Sequence, residues 1–198
     1  MIARAHGPPA TWMGDMLPQH FVSALDVFEA VLTSVPPDRW DSPSPCEGWS
    51  AIDVAGHIIG GILTIEARAA GRTPPEVGHD LAPDDPLAAW HAARSAAMAA
   101  LTSEALNRKV RLAFDHEVTV AQWLEQYPLE LLVHSWDLAQ ATGQPIGLPA
   151  DLVGPALQTA EQFAPHGREA GMLGPERPVP ADADPQTRLL ALFGRATP

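Results

Sequence analysis

The sequence predicts an all-α protein built as a helical bundle. Apolar residues recur at helical spacing in long segments, prolines cluster between those segments, and almost no stretch alternates apolar and polar residues as a half-buried strand does. Long helices joined by proline-rich loops are typical of a bundle whose apolar stripes face one another. A chain of 198 residues, 46% of them hydrophobic, is large enough to bury one such core. We therefore expect a single domain over residues 1–198.

The first two helices are delimited by prolines and by capping residues. Apolar residues spaced three and four apart predict a first helix over 18–34, and the Pro-Pro pair that follows ends it. A second helix is predicted over 50–70. Ser50 and Asp53 have the spacing of a capping box at its start, and Gly71 is a suitable residue to follow its end.

The third helix is predicted from its N-terminal cap. Asp85 is a good N-cap residue and Pro86 suits the first helical position, so the alanine-rich stretch that follows is predicted to be helical to about Leu106. The segments KVRLAF (109–114) and HEVTV (116–120) then favour a short extended excursion.

Three more helices complete the predicted chain. The fourth starts near Thr119, within a second capping-box pair, and ends before Gly143. Pro128 falls inside it and should bend it, because proline removes one backbone hydrogen bond. A fifth helix is predicted over 150–163 and a short terminal helix over 185–193.

The acidic composition excludes several partner classes. The formal net charge is −12, which would repel the phosphate backbone of nucleic acids and anionic membrane surfaces. The longest uncharged apolar stretch, residues 54–65, is too short to cross a bilayer, and the N-terminus lacks the apolar core of a secretory signal. Cys46 is the only cysteine, so no intrachain disulfide can form. We therefore expect a soluble cytoplasmic protein that binds a small-molecule substrate, and neither nucleic acid nor membrane.

A carboxylate and an imidazole share the apolar face of the fourth predicted helix. At roughly 100° per residue, with Glu130 at zero, His134 lies at about 40° and Asp137 at about −20°. Trp123 and Tyr127 fall at about 20° and 60° on the same face. Glu130 and His134 are thus one helical turn apart and can bind the same ion or ligand. Their position on the apolar face weakens the interpretation of this stretch as a solvated surface.

A histidine on the second predicted helix can complete a metal site. His57 lies on an apolar face beside Gly60 and Gly61, which cost helix stability unless a neighbour or a bound group must come close. A lone histidine on an apolar face is more often a core residue than a ligand. Together with Glu130 and His134, however, it forms the His/Glu/His set of an open divalent-metal site, with zinc, nickel, iron or cobalt all compatible.

Five other residues have both a functional and a structural interpretation. Asp137 could accept a hydrogen bond from a metal-bound imidazole, and Tyr127 could donate a proton or a hydrogen bond to substrate. Trp49 could line the mouth of the pocket or pack the end of the bundle. Arg68 could receive a substrate carboxylate or remain an ion-paired surface residue. Cys46 could exchange thiols, although a small hydrophobe that plugs a loop is the favoured interpretation.

Two segments resemble those of a known family. PCEGWSAIDVAGHIIGG (45–61) and ELLVHSWDLAQATG (130–143) are similar to the signature segments of the DinB-like superfamily. The branch they resemble is the actinobacterial one that contains the N-terminal domain of mycothiol-dependent maleylpyruvate isomerases. The tail 174–195 is similar to the end of short, single-domain members of that branch. The resemblance implies a four-helix bundle with up-down-down-up connectivity, here with short additional C-terminal helices, and often a homodimer.

The resemblance also implies a metal and a chemistry. The family holds a divalent metal, commonly zinc, at positions that correspond to His57, Glu130 and His134. Its characterised members use the metal to activate a small thiol such as mycothiol for S-transfer or isomerisation. The isomerases carry a further C-terminal domain, which we expect this chain to lack. A non-catalytic metal-binding module and a metal-free pocket enzyme of specialised metabolism are the alternatives.

Overall fold

The computed structural model describes residues 17–75, 84–112 and 116–196. These residues form eight helices and one hairpin, so the predicted all-α fold is confirmed and the hairpin is a minor addition. The elements in chain order are α1 (Gln19–Thr33), α2 (Ala51–Ala69), α3 (Pro86–Ala100), α4 (Ser103–Leu106), β1 (Lys109–Arg111), β2 (Glu117–Thr119), α5 (Val120–Gln126), α6 (Pro128–Thr142), α7 (Ala150–Glu169) and α8 (Pro185–Leu192).

The bundle consists of α1, α2, α3 and α6. The most extensive contacts join α2 to α3 and α1 to α6, and α2 also packs against α6. The facing stripes are mainly apolar: Phe28 and Ile58 are 0% exposed, as is Leu132. α7 lies against α6 and α8, and the buried Leu189 and Leu190 of α8 belong to the same core cluster. α2 and α6 are therefore neighbours, which is the arrangement that the candidate ligands require.

Both ends of α2 are closed by local hydrogen bonds. The Ser50 backbone N–H donates to Asp53 Oδ2 at 2.8 Å, which confirms the capping box. At the other end Gly71 adopts φ 72°, and the N–H groups of Gly71 and Arg72 donate to the carbonyls of Arg68 and Ala67. α2 is thus a regular helix from cap to cap, which gives His57 a defined position on it.

The fourth predicted helix is two helices. Thr119 caps α5, with its hydroxyl accepting from the Gln122 N–H at 3.2 Å, as predicted. α5 ends at Gln126, however, and α6 begins at Pro128. Proline has no N–H to continue the ladder, but it suits the first position of a new helix. Pro128 therefore separates two helices instead of bending one.

Two other helix boundaries differ from the prediction. The third predicted helix ends at Ala100, not near Leu106, and a new cap at Thr102 starts α4. α7 runs to Glu169, past the predicted end at 163, and is not a short helix. Its two internal prolines, at 155 and 165, are exposed. On that face their rings meet solvent, and water can satisfy the carbonyls that lose an N–H partner.

The extended excursion is a small antiparallel hairpin. Val110 of β1 lies opposite Val118 of β2, and both side chains are buried. The part of the excursion at 113–115 lies outside the described residues. Across the described ranges, every helix falls short of the length and apolar character that crossing a membrane demands.

Candidate metal centre and its cavity

The structure brings His57, Glu130 and His134 together between α2 and α6. One ligand atom from each lies within 4.8 Å of the other two. Glu130 Oε2 is 3.7 Å from His57 Nε2 and 3.5 Å from His134 Nε2. Two ligands of a tetrahedral zinc ion, each at about 2.0–2.1 Å, lie about 3.4 Å apart. The three side chains therefore fit a divalent ion with little movement.

The three candidate ligands face a cavity of about 660 Å³. The side chains of His57 and Glu130 are 33% and 40% exposed, whereas His134 is buried. The partial burial of Glu130 favours the neutral form of its carboxyl group. Hydrogen bonds from His134 and His57 outweigh this effect and hold the pKa of Glu130 below its ordinary value. The group is thus accessible from one side, as a catalytic metal site must be.

Asp137 orients the imidazole of His134. The side chain of Asp137 is 0% exposed, and its Oδ2 lies 3.0 Å from His134 Nδ1. An Nδ1–H that donates to this carboxylate leaves Nε2 directed at Glu130, as metal coordination requires. Burial raises the pKa of Asp137, but the hydrogen bonds from His134 and Arg195 outweigh it and lower the pKa to about 2. Asp137 is therefore ionised beside His134.

Arg195, which was not predicted as a site residue, pairs with Asp137. Its Nε donates to Asp137 Oδ1 at 3.0 Å and its Nη2 to Asp137 Oδ2 at 2.6 Å. Arg195 follows α8, 58 residues after its partner, and no ligand-like spacing marks it. A buried carboxylate with one imidazole neighbour does call for a cation, and this requirement was the only signal in the sequence.

Cys46 packs against the core, as expected of a small hydrophobe, but its thiol also makes polar contacts that this interpretation did not include. Its Sγ donates to Asp137 Oδ2 at 3.2 Å, receives a hydrogen bond from Arg195 Nη2 at 3.0 Å, and lies 3.9 Å from His134 Nδ1. Cys46, His134 and Asp137 are themselves close enough to share an ion. The Arg195 guanidinium already lies among them as their cation, so a metal ion fits the His57, Glu130 and His134 group better.

Trp49 reaches the cavity, as one of its two interpretations requires. Its ring stacks on that of His134, with an interplanar angle of 15° and centroids 6.1 Å apart, and lies 5.0 Å from the ring of His57. Trp49 thus forms an apolar wall against both imidazoles. A role in binding a cofactor stays a prediction.

Tyr127 is not among the residues that line the cavity. It joins α5 to α6, and its ring packs edge-on against Phe21 and Trp123. A Cβ added at Gly61 would lie 2.0 Å from the Tyr127 hydroxyl oxygen, so Gly61 is the close approach that the glycines of α2 indicated. Burial, with the nearby charge of Glu130, raises the pKa of Tyr127. The structure gives it a packing position instead of the predicted catalytic one.

Arg68 also lies away from the cavity. It therefore cannot receive the carboxylate of a substrate bound in this cavity, as one of its two interpretations proposed. It is eleven residues along α2 from His57, which is about 16 Å of helix. Its guanidinium donates to the Arg111 carbonyl and lies 5.5 Å from the ring centroid of Trp123. A basic residue that does line the cavity is Arg177, from the segment after α7.

The roof of the cavity comes from the C-terminal part of the chain. Phe163 of α7, Leu173 and Phe193 line it, together with Met172, whose side chain is 56% exposed. No contact between this segment and the site was predicted from the sequence. Helical periodicity carries no information about which distant loop covers a helix end.

The fold and the centre define a class: a helical bundle with an open His/Glu/His group between two of its helices. Residues 21–139 match the family described as the mycothiol maleylpyruvate isomerase N-terminal domain. The chain belongs to this family. The matched region contains His57, Glu130 and His134, and the family prediction is confirmed.

The similarity to two other proteins extends beyond residues 21–139. Two uncharacterised proteins, from two strains of Mycobacterium tuberculosis, are 32% identical over 177 residues, which span 87% of this chain and 93% of theirs. Among solved structures, the mycothiol-dependent maleylpyruvate isomerase superimposes with a TM-score of 0.61 at 18% identity, covering 78% of this chain and 74% of that one. A variant of that isomerase with a histidine replaced by alanine gives 0.58 over the same shares. These two show a shared fold.

Proposed function

We propose that this protein is a zinc-dependent enzyme that activates a small thiol, of the mycothiol type, for S-transfer to an electrophilic small molecule or for its isomerisation. The observation that carries the proposal is the convergence of His57, Glu130 and His134 within 4.8 Å, facing a cavity. Membership of a family named for a mycothiol-dependent isomerase supports the choice of thiol.

The residues of the chain divide the work between binding and orientation. His57, Glu130 and His134 would hold the ion through two imidazole nitrogens and one carboxylate oxygen. When bound, a divalent cation lowers the pKa of a coordinated thiol and so supplies a thiolate nucleophile. Asp137, 3.0 Å from His134 Nδ1, would keep that imidazole in the tautomer whose Nε2 is free to coordinate the ion.

The cavity suits a small substrate. Its volume of about 660 Å³ lies within the range of small-molecule pockets. Trp49, Leu129, Val133 and Phe193 give it apolar walls, which exclude water from a reactive sulfur. The net charge of −12 continues to argue against nucleic acid as the substrate.

The decisive experiment is spectroscopy of the cobalt-substituted protein. Mycothiol added to this form should produce a sulfur-to-cobalt charge-transfer band, because the thiol enters the coordination sphere. His134→Ala should abolish the band. His91→Ala, which removes a histidine paired with Glu29 elsewhere in the bundle, should leave it unchanged. An unaltered spectrum after thiol addition to the cobalt-loaded wild type would contradict the proposal.

Two further measurements separate the alternatives. A non-catalytic metal module should lose thermal stability sharply on chelation, yet show no response of the metal to any thiol. A metal-free pocket enzyme should contain no stoichiometric metal when purified without a histidine tag. The homodimer, the cytoplasmic location and the single domain over 1–198 stay predictions.

A further inference from the structure

We propose that Arg195 is a positioning residue of the metal centre, through which docking of the C-terminal segment and binding of the metal stabilise each other. The inference rests on the proposed function only in taking His57, Glu130 and His134 as the metal ligands. It concerns how the chain holds that site, and it assigns a role to the segment that follows α8.

The contacts form a continuous chain from the C-terminal segment to a ligand. Arg195 donates to both carboxylate oxygens of Asp137, at 3.0 and 2.6 Å. Asp137 Oδ2 in turn lies 3.0 Å from Nδ1 of His134, whose Nε2 is directed at Glu130. Displacing Arg195 would remove two donors from the carboxylate that orients the imidazole.

The ion pair of Arg195 and Asp137 is buried, so the position of the carboxylate depends on the arginine. The side chains of Asp137 and Arg195 are 0% and 13% exposed. A buried carboxylate that loses its cation keeps its desolvation penalty without the contact that offsets it, so its position is no longer fixed. A displaced carboxylate alters the hydrogen bond that His134 Nδ1–H donates to it. Metal affinity should therefore depend on a side chain that does not touch the metal.

Arg195 is committed to this contact and is not a free substrate-binding group. Its Nη1 donates to the Phe193 carbonyl at 2.7 Å and its Nη2 also donates to Cys46 Sγ at 3.0 Å. With Asp137 bound through two nitrogens, each nitrogen of the guanidinium has a partner. The side chain thus serves as a link between α8, the loop before α2 and α6.

The backbone after α8 aims Arg195 at its partner. Gly194 adopts φ 77°, and the Arg195 N–H donates to the Leu190 carbonyl at 3.0 Å, which closes the helix end as a Schellman turn. Leu189 and Leu190 are 0% exposed, so α8 itself is anchored in the core. Packing of α8 and the geometry of this turn therefore set the position of Arg195.

The first test measures metal affinity by competition with a chromophoric chelator. Removal of a group that orients a ligand typically costs 10–100-fold in metal affinity, so we expect Asp137→Asn to fall in that range and Arg195→Gln to lose about tenfold. Arg188→Gln is the matched control, because Arg188 also pins α8, through Glu161 at 2.9 Å, but lies outside the centre. It should bind metal like the wild type.

A double variant separates positioning from a general loosening of the fold. If Arg195 acts through Asp137, adding Arg195→Gln to Asp137→Asn should cost less than about a further twofold. Full additivity of the two losses, or an affinity for Arg195→Gln equal to that of Arg188→Gln, would overturn the proposal. Should Arg195→Gln not fold, Arg195→Lys must still bind at least about threefold more weakly than wild type, since lysine cannot make the two-pronged contact.

The second test needs no variant. Coupling is reciprocal, so metal bound at His57, Glu130 and His134 must slow hydrogen exchange of the amides of 189–195 in the wild-type protein. Slower exchange in α2 and α6 alone, with α8 unaffected, would overturn the linkage. A wild-type protein that binds no divalent metal would instead overturn the proposed function, so the two failures are distinguishable.

Discussion

Two clusters in this bundle pair a glutamate with a histidine at the same distance. Glu29 Oε1 of α1 lies 3.5 Å from Nε2 of His91 on α3, and Glu130 Oε2 lies 3.5 Å from Nε2 of His134. In the first cluster, Glu29 also accepts from Trp90 Nε1 at 2.9 Å and pairs with Arg94. Its carboxylate already has a cation supplied by the chain.

In the second cluster, no lysine or arginine of the described residues forms an ion pair with the carboxylate. Within the same part of the chain, the ion-pair partners of Glu130 are the imidazoles of His57 and His134. Arg195, which lines the same cavity, forms its ion pair with Asp137. The comparison teaches that a Glu–His contact by itself does not indicate a metal site. What distinguishes the two clusters is whether an arginine of the chain already neutralises the carboxylate.

The largest expected effect is on metal content. Glu130→Ala should reduce bound divalent metal from about one ion per chain to near zero, because two imidazoles alone hold an ion weakly. Glu29→Gln should keep the full metal content, since the carboxylate of Glu29 already pairs with Arg94. We call the cluster of Glu29 the closed cluster and that of Glu130 the open cluster. Elemental analysis of untagged protein measures the content in both variants. Equal metal content in the two variants would remove the contrast between the clusters.

The next largest effect is expected on the stability of the fold, at Gly61, where α2 packs against Tyr127. Gly61→Ala should destabilise the fold by about 1–3 kcal/mol, because overpacking displaces buried side chains. The new Cβ would meet the Tyr127 hydroxyl oxygen at 2.0 Å and Cζ at 3.3 Å, so Tyr127→Phe in the same chain should recover much of the loss.

The control for Gly61 is the helical Gly154. A Cβ there meets nothing within 4 Å, so Gly154→Ala should be neutral or stabilising by up to about 1 kcal/mol. Chemical denaturation measures all three variants. If Gly61→Ala matched Gly154→Ala, Tyr127 would not be held by packing, and its exclusion from the cavity would need revision.

The closed cluster should matter more than the open one for the stability of the metal-free protein. Glu29→Ala leaves the fully buried Trp90 without the acceptor of its indole N–H and should cost about 1–3 kcal/mol in the free energy of unfolding. Glu130→Ala should cost less, because its side chain is 40% exposed. Urea denaturation in the presence of a chelator tests this order, and a larger loss for Glu130→Ala would reverse the comparison.

The smallest effect is a pH dependence of the closed cluster. The hydrogen bond from Trp90, aided by Arg94, holds the pKa of Glu29 below its ordinary value of 4.5. A carboxyl with a lowered folded-state pKa contributes stability that is present above pH 4.5 and lost as the pH falls through that lower value. The penalty of Glu29→Gln should therefore shrink from pH 7 towards strongly acidic pH. A penalty that stays constant or grows on acidification would contradict this assignment.

Much of the fold and of the candidate centre could be predicted because the signals are local. The capping pairs at Ser50 and Thr119 and the helical spacing of apolar residues depend on neighbours within one or two turns. The same holds for Glu130 and His134, which one turn of helix brings onto one face. The breaks at Leu101 and Pro128 were missed because a helical pattern can continue across a break.

The residues that sequence reasoning misplaced all depend on contacts between distant segments. Tyr127 and Arg68 share a helical face with a ligand, yet Tyr127 packs on Gly61 and Arg68 on Trp123. Residues on one helical face point in the same direction from the helix axis. The helical spacing does not tell which other segment each of them meets at its own position along the helix.

By itself, the sequence determined most of the helical segments, the caps at Ser50, Asp85 and Thr119, and the candidate ligands of the centre, because periodicity and hydrogen-bonded turns act over a few residues. Only the tertiary structure decided that α2 faces α6, that Cys46 and Arg195 meet Asp137, and that the segment after α7 roofs the cavity. Those contacts join residues 91 and 58 positions apart. Their geometry depends on how whole helices pack, and no local pattern encodes it.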